Sequence, residues 1–355
     1  KRGAIPAHEM IKFSINMHRG CFGGCSFCTI SAHQGKFIAS RSQKSILNEV
    51  DQVVDMPDFK GYISDLGGPS ANMYKIKGVV QETCDKCIAP SCIHPVICSN
   101  LDTSHSQITE IYRKVDKHPK VKKAFIGSGI RHDLLTKSYN KNADTSINDY
   151  MVQLLTRHVS GRLKVAPEHT SADTLKIMRK PAFAHFKEFK KLFDDINRKL
   201  GLNQQLVPYF ISSHPGCKEE DMINLTIETK ELGFKLEHVQ DFTPTPMTVA
   251  TVMYYSGYHP YTLKQYYTPK SRQEKINQHR FFFWYKKENR NWIRKRLNDA
   301  NRPGLLKRLL GPDQKELNQQ VKSNNKTGSK SSEIFQRGRN KAGKINNAGI
   351  KRKRR

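Results

Sequence analysis

Acidic residues are scarce in this chain. Only 32 Asp and Glu face 61 Lys and Arg over 355 residues, a net charge of +29. Long apolar runs are missing as well. No stretch of about 18 apolar residues occurs, which excludes a helical membrane span. No secretory hydrophobic region follows the first residues. The chain opens on Lys1 rather than Met and reads as a piece of a longer protein. Eight cysteines at wide, uneven spacing do not make a secreted disulfide framework. With a mean hydropathy of −0.67, these absences predict a soluble, cytoplasmic chain with no membrane partner.

The charge is unevenly placed. From Lys322 to Arg355 there are twelve Lys or Arg and one acid, Glu333, so this tail supplies +11 and the body +18. The tail has almost no apolar residues, and its composition predicts disorder over 313–355. Such a tail suits salt-dependent contact with nucleic-acid phosphates; a nonspecific solubilising tail has the same composition.

Seven of the eight cysteines fall in two local clusters. Cys21, Cys25 and Cys28 are spaced C-x3-C-x2-C. Three thiolates this close on a loop can converge on one iron–sulfur cluster; a zinc knuckle or three unrelated thiols would share the spacing. A cubane takes four ligands, so three leave one iron open to chelate a small molecule. Cys84, Cys87, Cys92 and Cys98 are spaced C-x2-C-x4-C-x5-C. Four thiolates satisfy either tetrahedral zinc or a second iron–sulfur cluster, and spacing does not choose between them. His94 is a substitute ligand there. Cys217 stands alone, at a strand end.

The body alternates strand and helix patterns. Strands are predicted over 11–17, 61–66, 121–126, 162–166, 206–211 and 236–242. Helices follow around Ile46–Val54, after a Ser104/Gln107 capping box, over 151–159, over 183–200, and from Glu219 to Gly233. Six β-then-α repeats predict a parallel α/β sheet closed into a partial (β/α)6, TIM-like barrel. Residues 72–103, with the second cysteine set, form an insertion. The expected division is a core over 1–247, an extension with basic helices over 248–312, and the tail over 313–355.

In such folds the loops after the strands build the site. Gly67-Gly68-Pro69 lets a ligand approach the backbone, or is an ordinary tight turn. Ser128 and Arg131 suit a ribose and a carboxylate; Arg131 also reads as a surface ion-pair partner. Glu168 and His169 read as site contacts or, for Glu168, as a helix cap. Ser212, Ser213, His214, Gln240 and Asp241 end the last two strands.

The chain resembles the YgiQ-like family of radical S-adenosylmethionine proteins. The resemblance rests on His18-Arg19-Gly20 through Cys28 with Phe27 before the third cysteine. It continues in His33-Gln34-Gly35, Ser40-Arg41-Ser42, Gly67-Gly68-Pro69, Ser128-Gly129-Ile130-Arg131, Val165 through His169, Ser213 through Gly216 and Gln240 through Pro246. The order of motifs runs from about residue 5 to about residue 312. It implies a radical SAM barrel whose Cys21, Cys25 and Cys28 hold a [4Fe–4S] cluster. It implies that S-adenosylmethionine is bound near Phe27 and Gly67-Gly68-Pro69, with Ser128, Arg131, Glu168, Ser212 and Gln240 as further contacts. It implies reductive cleavage to a 5′-deoxyadenosyl radical, a flavodoxin- or ferredoxin-like one-electron donor, and a further N-terminal region. The substrate is not specified. The reading from another class is a non-catalytic iron–sulfur or zinc protein that binds nucleic acid through its tail.

Overall fold

Short parallel strands joined by amphipathic helices organise the computed structural model, which describes Gly3 and residues 5–311. The strands are β1 (Ser14–Asn16), β2 (Tyr62–Ile63), β3 (Asp65–Gly67), β4 (Lys123–Ala124), β5 (Arg162–Glu168), β6 (Gln205–Ser212) and β7 (Val239–Asp241). β1 pairs in parallel with β3, β2 with β4, and β6 with both β5 and β7. Backbone bonds continue the order between ladders: Leu66 N to Phe125 O (2.8 Å), Ile126 N to His158 O (3.0 Å) and Ile130 N to Lys164 O (3.4 Å). In the β5–β6 ladder Pro208 faces Val165 and Phe210 faces Glu168. Ala166 and Pro167 therefore oppose the single Tyr209, a bulge on β5 at a residue with no N–H to give.

The helices bury the stripes their spacing predicts. α1 (Gln43–Val54) buries Ile46, Val50, Val53 and Val54, and Ser42 caps it by accepting from Ser45 N. α2 (Ser106–Asp116) buries Ile108, Ile111, Tyr112 and Val115. α3 is Ser146–Gln153, α4 Ala172–Met178 and α5 Phe183–Lys199, the last burying Phe183, Phe186, Phe189 and Phe193. α6 (Glu219–Glu231) opens with Asp221 accepting from Lys218 N at 2.8 Å. α7 (Val249–Ser256) ends at Gly257, and α8 (Arg272–Phe282) has a Ser271/Glu274 capping box.

Some elements depart from the sequence pattern. Ile11 ends a helix, Pro6–Ile11, rather than opening the first strand. The Ser104/Gln107 capping box does not form. His105 is the N-cap, and the Ser104 hydroxyl bonds Ser106 and Ser146 instead. The helix expected over 151–159 begins at Ser146 and ends in a π turn, Leu154–His158. The strand expected over 121–126 shrinks to Lys123–Ala124.

The insertion is closed at its base by Lys77–Gly78 pairing antiparallel with Leu101–Asp102. The chain divides into two compact units, Lys1–Ile293 and Arg294–Arg355. The second includes the helix Pro303–Leu310, and the basic tail lies outside the described residues. Among the described residues no helix is long and apolar enough to cross a membrane.

Candidate functional site

The first cysteine loop leaves a short antiparallel pair, His18–Arg19 with Ala39–Ser40. Two glycines shape it. A Cβ on Gly20 (φ +89°) would lie 2.3 Å from Phe37 O, and one on Gly24 (φ +60°) 2.2 Å from Pro90 O. Neither position admits a side chain. Gly23 N donates to Cys21 Sγ (3.4 Å) and Cys28 N to Cys25 O (3.2 Å). Burial raises the Cys21 and Cys28 thiols, and the neighbouring cysteines of the loop push the same way, so the three sense one another. All eight cysteines are free. Among the described residues no three Cys, His, Asp or Glu side chains converge tightly enough to hold a metal ion as they lie.

The donor set nonetheless fits a thiolate-bound cluster, because positive charge is built in around it. The buried Arg131 places Nη1 3.6 Å from Cys25 Sγ and pairs through Nε with Asp133 (3.0 Å). Burial opposes ionisation of Asp133, but the Arg131 guanidinium outweighs it and holds the carboxyl well below the usual range. Arg131, expected to meet a ligand carboxylate, thus already has one from the chain. Lys180 is buried too. It donates to Ala166 O (2.6 Å) and stands 3.7 Å from Glu168. Glu168 follows the β5 bulge at φ +70°. Burial raises its carboxyl and Lys180 partly offsets that.

The other expected residues lie at the carboxyl ends of the strands. Gly67 ends β3, and a Cβ there would meet Ser128 Oγ at 3.1 Å. Ser128 Oγ donates to Asp65 (2.6 Å), so its hydroxyl is held by the chain. A Cβ on Gly68 would lie 2.5 Å from the ring of His18. Ser212 donates to Asp241, which also meets His279 Nδ1 at 3.2 Å. Gln240 is exposed, on the other side of β7 from Asp241. Phe27 packs edge-on against His214 (5.9 Å), which meets Phe242 in turn.

Orphaned polar atoms concentrate here. His18 Nδ1 and Nε2, Ser26 Oγ, Thr170 Oγ1, Ser213 Oγ and His214 Nε2 are buried without a hydrogen-bond partner. Native interiors rarely leave such groups unpaired unless a ligand, ion or water serves them. His18, Asp65, Asp133 and Lys180 were not foreseen. Only His18 carried a sequence signal, its place three residues before Cys21.

Cys217 forms a separate arrangement. Its Sγ is 3.4 Å from His169 Nε2 and 3.3 Å from Gln278 Oε1, all buried. His169 Nδ1 accepts from both Thr170 N and Ser171 N at 3.0 Å. The proton therefore resides on Nε2, which donates to the sulfur. An imidazole already protonated on that face cannot take the thiol proton, and burial raises the thiol further. This pair is a packed lock, not a nucleophile and its base.

The second cysteine set abuts the first loop. Cys92 N donates to Phe22 O (3.0 Å), and Ser91 Oγ donates to Gly23 O (2.8 Å). Cys84, Cys92 and Cys98 line a cavity of about 240 Å³ with Lys36. Lys36 Nζ is 3.5 Å from Cys87 Sγ, and Asn100 Nδ2 3.3 Å from Cys84 Sγ. Burial pushes Cys92 up to about 11 against the pull of Lys36, and the three other thiols of the set add to the rise. His94 is half-buried with Nδ1 unpartnered.

Fold and site together define an α/β protein whose candidate site residues gather at the carboxyl ends of parallel strands. The chain belongs to the UPF0313, or YgiQ-like, family. It is 61% identical over 308 residues to a UPF0313 protein of Bacteroides thetaiotaomicron, covering 86% of this chain and 50% of the relative. It is 59% identical over 307 residues to one of Porphyromonas gingivalis (86% and 48%) and 45% identical to one of Methanocella arvoryzae (85% and 49%). The chain thus spans about half the length of the curated relatives it matches. Residues 237–354 match a domain of unknown function, DUF3362. Among solved structures, the radical S-adenosylmethionine methyltransferase TsrM of Kitasatospora setae, with cobalamin and [4Fe–4S] cluster bound, superposes with TM-score 0.44. The identity is 13%, and the match covers 72% of this chain and 42% of TsrM.

Proposed function

We propose that this chain is the core of a radical S-adenosylmethionine enzyme. Cys21, Cys25 and Cys28 are the ligands of a [4Fe–4S] cluster with one iron left open. A cluster held there would supply the electron for reductive cleavage of S-adenosylmethionine, the 5′-deoxyadenosyl radical chemistry of this reading. The chain's own groups bind, orient and exclude water. Arg131 and Lys180 balance thiolate charge. Backbone at Gly67-Gly68-Pro69 meets the amino group, and Phe27 packs beside the adenine. Ser128, Glu168, Ser212 and Gln240 complete the contacts.

In this reading the strand segments form an open (β/α)6 barrel over 1–247, with 72–103 as an insertion and 248–312 as an extension. Cys84, Cys87, Cys92 and Cys98 hold a second metal, zinc or iron–sulfur. A flavodoxin- or ferredoxin-like donor supplies the electron. The observation that carries the reading is the concentration of orphaned buried polar atoms around a three-thiol loop at the strand ends. Anaerobic reconstitution with iron and sulfide tests it. The wild-type chain yields 5′-deoxyadenosine on reduction with S-adenosylmethionine, and Cys25→Ala yields none. Undiminished cleavage by Cys25→Ala would refute the assignment.

A further inference from the structure

A second concavity opens beside the cysteine loop, and its chemistry is unlike the rest of the site. It encloses about 640 Å³ between α4, the turn after β6 and the segment after α7. Lys176, Arg179, Lys218 and Lys264 line it, with Asp173 the one carboxylate in the lining. None of the four cations forms an ion pair with Asp or Glu among the described residues. Elsewhere Lys180, Lys187, Lys190 and Arg198 each stand within 4 Å of a carboxylate. Unpaired cations converging on one concavity focus a positive field on whatever enters it.

The far wall is aromatic and built. Residues 257–267 form a narrow hairpin-like loop, with a bridge between Tyr258 and Gln265. His259 N donates to Lys264 O (2.9 Å), Tyr266 N to Gly257 O (2.8 Å), and Gly216 N to Tyr267 O (2.7 Å). The loop is therefore fastened to itself and to the turn after β6. Of its tyrosines, Tyr266 and Tyr267 line the concavity, Tyr267 at 43% exposure, while Tyr258 and Tyr261 stand on the loop outside the lining. Lys264 Nζ stands 5.4 Å from the centre of the Tyr266 ring. Tyrosine faces held open by backbone bonds, interleaved with unpaired cations, form a stacking platform beside a phosphate track.

The groove shares a wall with the cysteine loop. Arg179 Nη1 reaches Gly24 O at 3.4 Å, and Ser26 N donates to Met178 O at 3.0 Å. We infer that this groove binds single-stranded nucleic acid and leads it to the cysteine loop, so that a nucleotide is the substrate of the chemistry proposed above. The inference rests on that reading for its chemistry but not for its binding. An acidic peptide would satisfy the cations and leave the tyrosine faces without purpose. A duplex hides its base faces and would leave them idle too.

The test is fluorescence anisotropy of the full chain with a labelled single-stranded RNA of about 12 nucleotides, within the usual site size. Lys176→Glu with Lys218→Glu and Lys264→Glu weakens binding at least about tenfold, since each lost phosphate contact weakens it further. Lys60→Glu with Lys199→Glu and Lys235→Glu makes the same charge change at exposed positions before β2, β6 and β7, and has a far smaller effect. Tyr267→Ala, which leaves the charge alone, weakens binding about tenfold through lost stacking. It also serves if the groove triple variant unfolds, as circular dichroism would show. Equal losses in the two triple variants, or equal binding of duplex RNA or oligo-glutamate, would overturn the inference. Cluster content is measured on the same preparations. A cluster with no RNA binding removes the groove; RNA binding with no cluster removes the radical reading and leaves the groove standing.

Discussion

His18 is held mainly by packing, with the Ser70 backbone beside its ring. Its ring is buried against Gly68, neither nitrogen has a hydrogen-bond partner, and burial lowers it to about 4. Gly68→Ala would drive a methyl into that ring at 2.5 Å. Overpacking of this kind costs about 1–3 kcal/mol, to be read as a lowered urea midpoint. His105 is likewise lowered by burial to about 4, and His132, His169 and His214 to about 3. A histidine whose folded value lies below its unfolded 6.5 favours the folded state fully above pH 6.5. That support is lost as pH falls toward the folded value, because the unfolded chain binds the proton first. At pH 5 each such group costs about 2 kcal/mol. The chain should therefore lose most of its stability between pH 6.5 and pH 4. An unchanged urea midpoint between pH 7 and pH 5 would mean these rings are not buried and neutral.

Elements differ in how clearly they were written in the sequence. α1, α5 and α6 were legible because each must bury one stripe against the sheet. The central strands were legible in type but not in extent. Val121 to Ile126 reads as one strand, yet backbone bonds to Gly61, Ile63 and His158 leave only Lys123–Ala124 in a regular ladder. The cysteine spacing was legible, but the charges packed beside it were not. Asp133 and Lys180 acquire meaning only when Arg131, paired with Asp133, reaches Cys25 and Lys180, after α4, reaches Glu168 at the end of β5. The insertion is the element with most to test. Its contacts run to the backbone of the first loop, Cys92 N to Phe22 O and Ser91 Oγ to Gly23 O, so order in one cysteine loop supports the other. Replacing Cys21, Cys25 and Cys28 together by Ala should leave the second set holding about one zinc or about four irons by metal analysis. Cys84→Ser with Cys98→Ser should remove that metal and lower iron at the first site. Full iron at the first site in that double variant would show the two loops to be independent.

At the scale of the whole molecule the question is where the +29 acts. The tail from Lys322 to Arg355 holds +11 of it and lies outside the described residues, while the groove holds four unpaired cations. Counterion release separates them, because each phosphate neutralised on a single strand adds about 0.7 to the slope of log K against log salt. A groove engaging four phosphates contributes a slope of about 3. Deleting residues 322–355 should flatten the salt dependence of RNA binding toward that value without abolishing binding. It should leave 5′-deoxyadenosine production intact, since none of the proposed cluster or cofactor contacts lies beyond Gln240. The groove triple variant in the full chain should do the reverse, keeping a steep tail-driven slope while losing affinity for single strands over duplexes. Should the truncated chain no longer bind RNA at all, the tail alone would be the nucleic-acid contact. The cations of the groove would then serve a small anionic substrate instead.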